Sequence, residues 1–271
     1  MADAKTHGCK CRNCGAELIT HIKSSDTYCR FCGAPALIAR EYDCITQPEL
    51  VIEFEIDKAN AARIFLQHLA RRPLSASVLF HKAKSGNFNA VYVPVCLNDI
   101  GIQTDISSAN GNATVTSEAK DACINLSTHI SPKLFSLLAP FDFGTAKQYG
   151  EEHLGIPHEN YTDAQEHIDK ITEEIEEQAI AKAKETLSRE APVRFETCNH
   201  NVKHCLRRYA LVPLWILSHT DKGYTKQLFI NGQSGKIIGE TPPSLARMAA
   251  IFGIVAAGCT VIGELICMAV K

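Results

Sequence analysis

Residues 11–33 read CRNCGAELITHIKSSDTYCRFCG, two C-x-x-C-G turns separated by fourteen residues. The pairs are Cys11 with Cys14 and Cys29 with Cys32. Each turn offers two thiolates from one tight bend, and Gly15 and Gly33 supply the backbone freedom the bend needs. Two such bends facing each other close a tetrahedral sulfur cage, the ligand set of structural zinc. A pair of disulfides or unrelated thiols is the alternative, and the spacing favours the metal. Four thiolates leave no open coordination position, so the ion expected here folds the segment and does not activate water. Residues 1–40 are too few to bury much core, a deficit that a metal ion makes good. Cys9 stands beside the cage as a bystander thiol, because four ligands already suffice.

Outward from the cage, the chain of 271 residues has room for one or two compact domains plus small additions. A net charge of −2 argues against a general polyanion binder. The charge is uneven. Residues 1–40 carry six bases and three acids, whereas residues 151–190 carry twelve acids and four bases. Solvated surface explains both, although the basic ribbon leaves nucleic acid open as a partner, with Tyr28 and Phe31 available for stacking or for covering the cage. Eight of the twelve cysteines are scattered singly outside the cage, and the opening MADAKTHG is no apolar signal segment. Both features point to a reducing compartment.

At the other extremity, Ala249–Val270 reads AAIFGIVAAGCTVIGELICMAV, with one charge, Glu264. Twenty-two helical residues rise about 33 Å, the thickness of a bilayer core. Arg247 and Lys271 flank the run. The expectation is a tail anchor over 247–271, single-pass in an inner or plasma membrane, with the N-terminal bulk in the cytoplasm. Glu264 lies near the end of the run, where its carboxylate can lean toward the interface or neutralise. Gly253/Ala257 and Cys259/Gly263 are small-xxx-small pairs that let two helices approach, a weak pointer to a homo-oligomer.

Residues 48–240 between ribbon and tail form the main domain. Leu50–Ile56 alternates as a half-buried strand, and Asp57 caps a helix over Lys58–Ala70 with Ala62, Phe65, Leu66 and Leu69 on its apolar face. Strands are expected over Ala90–Asn98, Gly101–Ser107, Ala113–Ser117, Ala122–Ser127, Arg208–His219, Gln227–Asn231 and Lys236–Gly239. Short helical turns fit Ser131–Phe143. A long amphipathic helix fits Tyr161–Leu187, with Ile168, Ile171, Ile175, Ala179 and Ala183 on one face and glutamates over much of the other. DKG at 221–223 and NGQSG at 231–235 supply hairpin turns. VYVPVCLND, 91–99, echoes ALVPLWILS, 210–218, with Pro94 aligned on Pro213, as a duplicated unit or by coincidence. A proline in mid-strand belongs at an edge or a bulge.

The order of ribbon, FEI with its helix, VYVP, LAPFDFGTAKQYGEEHLG, LVPLW and INGQSGKIIG resembles a family of bacterial zinc-ribbon, membrane-associated proteins of unassigned activity. Its members are labelled helicase-like or transcription-factor-like on the strength of the ribbon. The likeness runs from Cys11 to about Pro242. It departs at Cys96, where members commonly carry an aromatic residue, and at Glu53-Phe54, where they carry Pro-Phe; Trp215 keeps the pattern. The resemblance implies the architecture and membrane association, and brings no substrate.

Other chemistry is sparse. Cys198, His200, His204 and Cys205 form C-x-H-x3-H-C, four competent ligands packed into eight residues. No turn glycine helps them close, and an ordinary polar connection is the favoured reading over a second metal site. The chain has no G-x-S-x-G, H-E-x-x-H or phosphate-loop motif. His81, His129, His153, His158, His167 and His219 read as surface or satisfied core residues, and Asp142 in APFDFG matches a kinase motif only by accident. The expected whole is an α+β protein with an N-terminal zinc ribbon (1–40), a central mixed antiparallel-sheet domain and a C-terminal transmembrane helix. Its expected work is that of a membrane-tethered adaptor with a protein partner. The rivals are an unrecognised hydrolase with its site in the α+β domain and nucleic-acid binding through the ribbon.

Overall fold

The structure is a computed structural model and describes residues 5–20, 28–35, 37–43, 47–72, 74–75, 77–108, 111–153, 155–161, 173, 177, 195–221 and 224–269. Most of the expected helix over Tyr161–Leu187 lies outside the described residues.

Among the described residues, eleven strands form one mixed sheet. They are β1 (Lys5–Cys11), β2 (Glu17–Ile19), β3 (Leu37–Asp43), β4 (Leu50–Val51), β5 (Asn89–Ser108), β6 (Gly111–Asn125), β7 (Lys147–Gln148), β8 (His158–Glu159), β9 (Phe195–Asp221), β10 (Tyr224–Asn231) and β11 (Ile237–Gly239). The main path runs β11-β10-β9-β5-β8-β2-β1-β3. The cysteine-bearing strands are therefore continuous with the central sheet: Leu18 and Ile19 of β2 pair with Glu159 and His158 of β8.

β5 and β9 are the axis. They run antiparallel, with Val93 opposite Val212, Tyr92 opposite Pro213 and Pro94 opposite Leu211. Around the Val93–Val212 pair the surroundings repeat. Each strand has an antiparallel hairpin partner, β6 for β5 and β10 for β9. Each also has a short parallel neighbour, β8 for β5 and β4 for β9. The backbone N–H of Leu126 donates to the Pro94 carbonyl, and that of Gly232 donates to the Pro213 carbonyl. The echo between 91–99 and 210–218 is thus a two-fold relation of packing. The prolines sit within the two central strands, not on sheet edges. Each faces a point where its hairpin partner ends, so no ladder donor is missed. At Pro213 the Gly232 carbonyl accepts instead from the N–H groups of Glu55 and Ile56. That diversion takes the chain out of the sheet, which is why only Leu50–Val51 of the expected first strand pairs.

The arms of β5, β6 and β9 fuse elements that the sequence separates. Ala90–Asn98 and Gly101–Ser107 join into β5, with a register shift between Asn98 and Ile100. The two segments at 113–127 join into β6. Asp221 pairs with Tyr224, as a two-residue hairpin turn requires.

Helix α1 (Lys58–Ala70) starts where expected, with Asp57 Oδ1 accepting the Asn60 N–H at 2.7 Å. Its buried face is Ala61, Phe65 and Leu69. Ala62 and Leu66, expected inside, are half-buried. The helix is rolled so that Phe65 meets Phe88, at 5.8 Å between ring centroids. Helix α2 (Ser77–Lys84) lies against α1, and both cover Trp215 and Leu217 of β9. Trp215 Nε1 donates to the Ile56 carbonyl at 2.8 Å. Helix α3 (Pro132–Leu138), capped by Ser131, lies on the opposite face. There Phe135 and Leu138 join Val91, Val93, Val95, Val212 and Leu214 in the main core. Helix α4 (Leu245–Ala269) projects from the end of the chain. Leu245–Met268 is long and apolar enough to cross a membrane, and no residue of its apolar stretch is buried in the protein.

Candidate metal centre

Two turns of one design build the centre. In the first, the Cys11 N–H donates to the Ala16 carbonyl and the Gly15 N–H to the Cys11 carbonyl; in the second, Cys29 with Ala34 and Gly33 with Cys29 repeat the pattern. Gly15 and Gly33 sit at φ of 81° and 73°, the left-handed conformation a side chain would resist. A third turn of the same design closes β10 on β11: the Asn231 N–H donates to the Lys236 carbonyl and the Gly235 N–H to the Asn231 carbonyl. Here no sulfur is present. The Asn231 Oδ1 accepts the N–H groups of Gln233 and Ser234 instead, at 2.9 and 3.0 Å.

The ligand atoms of Cys11, Cys14, Cys29 and Cys32 all lie within 4.8 Å of one another. Cys11 and Cys32 sulfurs are 3.6 Å apart, and those of Cys14 and Cys29 are 3.7 Å apart. A tetrahedron with metal–sulfur bonds of about 2.3 Å has sulfur–sulfur edges of about 3.8 Å. The set fits zinc, or iron held by sulfur. No position is left for a substrate or water. Cys9 lies outside the group.

The hydrogen bond shared by the Cys14 and Cys29 sulfurs brings the Cys29 thiol down to about 5 and pushes Cys14 up. Burial raises Cys32. A divalent cation would take the place of the shared protons and hold all four as thiolates.

What surrounds the sulfurs is the core itself. Cys11, Cys29 and Phe31 are fully buried with Val91, Val93 and Leu214. Phe31 covers the cage and gives no stacking platform for a base, whereas Tyr28 is exposed. The second turn is tied to the sheet through its backbone. The Phe31 carbonyl accepts from Ser218 Oγ and from Gln227 Nε2, and the Arg30 carbonyl accepts from Asn89 Nδ2 at 3.1 Å.

His129 and Glu159, neither singled out as a site residue from the sequence, support the first turn. His129 Nε2 lies 3.2 Å from the Cys14 carbonyl, and Nδ1 lies 2.8 Å from Glu159 Oε1. Nδ1 also lies 2.9 Å from Thr128 Oγ1. The ring packs against Phe31 at 5.1 Å between centroids. Its pKa is raised, chiefly by the hydrogen bond to Glu159, against the opposing effect of burial. Glu159 is fully buried and also accepts from Ser127 Oγ, Thr128 N and Thr128 Oγ1. His129 and Cys14 are 115 residues apart in the chain, so no local pattern could have paired them.

Cys198, His200, His204 and Cys205 lie on β9, which is extended from Phe195 onward. At about 3.3 Å per residue, Cys198 and Cys205 stand about 23 Å apart along the strand. A backbone so extended does not bring four ligands around one ion, and the segment is a strand, not the polar connection expected. His153 and His158 are buried and bonded, to Gly150 N and to the Glu159 carbonyl respectively. Asp142 accepts the Gly144 N–H and caps a turn of 3₁₀ helix. A groove of about 820 Å³ runs along α1 beside the end of α2. Lys58, Arg63 and Lys84 rim it, over Ala59, Ala62 and Leu66.

The chain is similar to a protein of Bacillus subtilis, the uncharacterized protein YdjG. The two are 24% identical over 246 aligned residues, which cover 82% of this chain and 72% of the relative. No family model matches the chain, and no solved structure matches it. The likeness carries no activity with it.

Proposed function

We propose that this chain is a membrane-tethered, cytosol-facing adaptor whose N-terminal zinc ribbon, built on Cys11, Cys14, Cys29 and Cys32, holds structural zinc. The observation that carries the reading is the closed four-sulfur group, with Cys11 and Cys29 buried in the hydrophobic core and Cys14 and Cys32 packed against it. A metal there stabilises the fold and has no vertex for chemistry. The second support is α4, whose apolar stretch has no residue buried in the protein. A long apolar helix with no protein to cover it suits lipid. The α1 groove carries lysine and arginine over alanine and leucine. It brings together no carboxylate, histidine or hydroxyl of the kind a hydrolase converges. The loss of Phe31 as a stacking group removes one support for nucleic-acid binding. A protein is the partner this leaves.

Two measurements on the full chain test the proposal. Metal analysis after purification in detergent should give one zinc per chain, lost in a Cys11→Ser/Cys14→Ser variant. Iron in its place, or no metal, overturns the ribbon assignment. Alkaline carbonate extraction of membranes should leave the protein in the pellet. Release of intact protein into the supernatant overturns the anchor.

A further inference from the structure

The first turn of α4 is fixed to the corner between α1 and α2. The Ser244 N–H donates to the Leu74 carbonyl at 2.6 Å, and Ser75 forms an isolated bridge with Pro243. The Arg247 guanidinium donates to the Ser75 carbonyl at 3.0 Å and lies 5.3 Å from the centre of the Phe80 ring. Arg72 donates to Thr241 Oγ1 at 3.2 Å. These ties span residues 72–80 on one side and 241–247 on the other. The point where α4 begins is therefore bound to the sheet domain, not strung from it on a linker.

The same corner exposes apolar side chains. Leu74 is 40% exposed and Val78 42%, and on the first turn of α4 Leu245 is 70% and Met248 42% exposed. Arg71 and Arg72 are exposed beside them. Residues 70–84 and 241–249 contain Arg71, Arg72, Lys82, Lys84 and Arg247 and no acidic residue. Glu240, just outside, pairs with Lys226 at 3.1 Å. Apolar side chains interleaved with arginines, continuous with an apolar helix, suit the boundary between headgroups and acyl chains.

We infer that the α1–α2 corner is a membrane-surface site that seats Leu74 and Val78 among the headgroups of an anionic bilayer, with Arg71, Arg72 and Arg247 at lipid phosphates. This rests on the reading of α4 as a span. If it holds, the sheet domain has one fixed face toward the lipid. The turn at Ser234, at the other end of the β10–β11 hairpin, then points away from the membrane.

The test places a photo-crosslinking phenylalanine analogue at Val78, at Ser234 or at Val255 within α4. Each full chain is reconstituted in vesicles of equimolar phosphatidylcholine and phosphatidylglycerol, and adducts are weighed by mass spectrometry. The expected result is lipid adducts at Val78 and Val255 and none at Ser234, with phosphatidylglycerol over-represented at Val78. An Arg71→Gln/Arg72→Gln change should lower that preference by about fivefold for each arginine at the surface. Adducts at Val255 without adducts at Val78 overturn the inference and leave the anchor standing. Adducts at Val78 in the bulk lipid ratio overturn the anionic preference. Absence of adducts at Val255 overturns the span and the inference together.

Discussion

Asn125 and Asn231 occupy equivalent places, one at the end of β6 and one at the end of β10. Asn125 pairs with Val95 and Asn231 with Leu214, each the residue after the strand proline. Both side chains are buried. Asn125 Oδ1 accepts the Ser127 N–H and Nδ2 donates to the Ile130 carbonyl. Asn231 Oδ1 accepts from Gln233 and Ser234, and its Nδ2 reaches the carbonyls of Leu138 and Pro140. A carboxamide both donates and accepts, so one side chain serves both kinds of backbone group across a turn. The two halves of the sheet thus solve the same turning problem with the same residue.

Replacing either asparagine by alanine should destabilise the fold, because each leaves buried backbone groups without partners. The expected cost is about 2 kcal/mol for Asn125→Ala and about 3 kcal/mol for Asn231→Ala, which has more bonds to lose. Chemical denaturation of the detergent-solubilised chain measures both. A loss below about 0.5 kcal/mol at either site would contradict the equivalence.

Gly232 has no room for a side chain. A Cβ there would stand 2.7 Å from the Phe54 ring and 2.8 Å from Pro213 Cβ. Gly232→Ala should therefore cost about 1–3 kcal/mol through overpacking. Gly155, where an added Cβ meets nothing within 4 Å, is the control. Its alanine variant should melt within a degree or two of the parent, and equal losses at both positions would refute the packing argument.

His129 should titrate above its ordinary value near 6.5 in the folded chain, since Glu159 holds its proton. A folded pKa above the unfolded one means the pair contributes fully below about pH 6.5. That contribution is lost as the pH rises through the raised value. Proton NMR of the His129 ring gives the pKa directly, and Glu159→Gln should bring it down. The same change should cost about 3 kcal/mol at neutral pH, because it removes one partner of a buried charged pair. Titration of His129 at or below 6.5 would show that the pairing is wrong.

Much was legible along the chain wherever the signal is local. The cysteine spacing and Gly15 and Gly33 specify the two turns. Asp57 and the apolar spacing specify α1, and the length of the apolar run specifies α4. The candidate site was legible as to its sulfurs and not as to its supports. Phe31 reads equally well as a surface aromatic and as a core residue until the sheet arrives to bury it. Asn231 sits in a motif that reads as a plain hairpin, and only its hydrogen bonds show the sulfur-free copy of the two cysteine turns.

The sequence by itself determined the bends, the caps and the two chemical extremities, because these depend on residues within a few positions of each other. Tertiary structure decided that Leu18 of the cysteine segment would pair with Glu159, that Pro94 and Pro213 would flank one axis, and that His129 would reach Cys14. Such choices are made between strands distant in the chain. There, ladder register and the need to satisfy every buried donor select one partner among many of similar hydrophobicity.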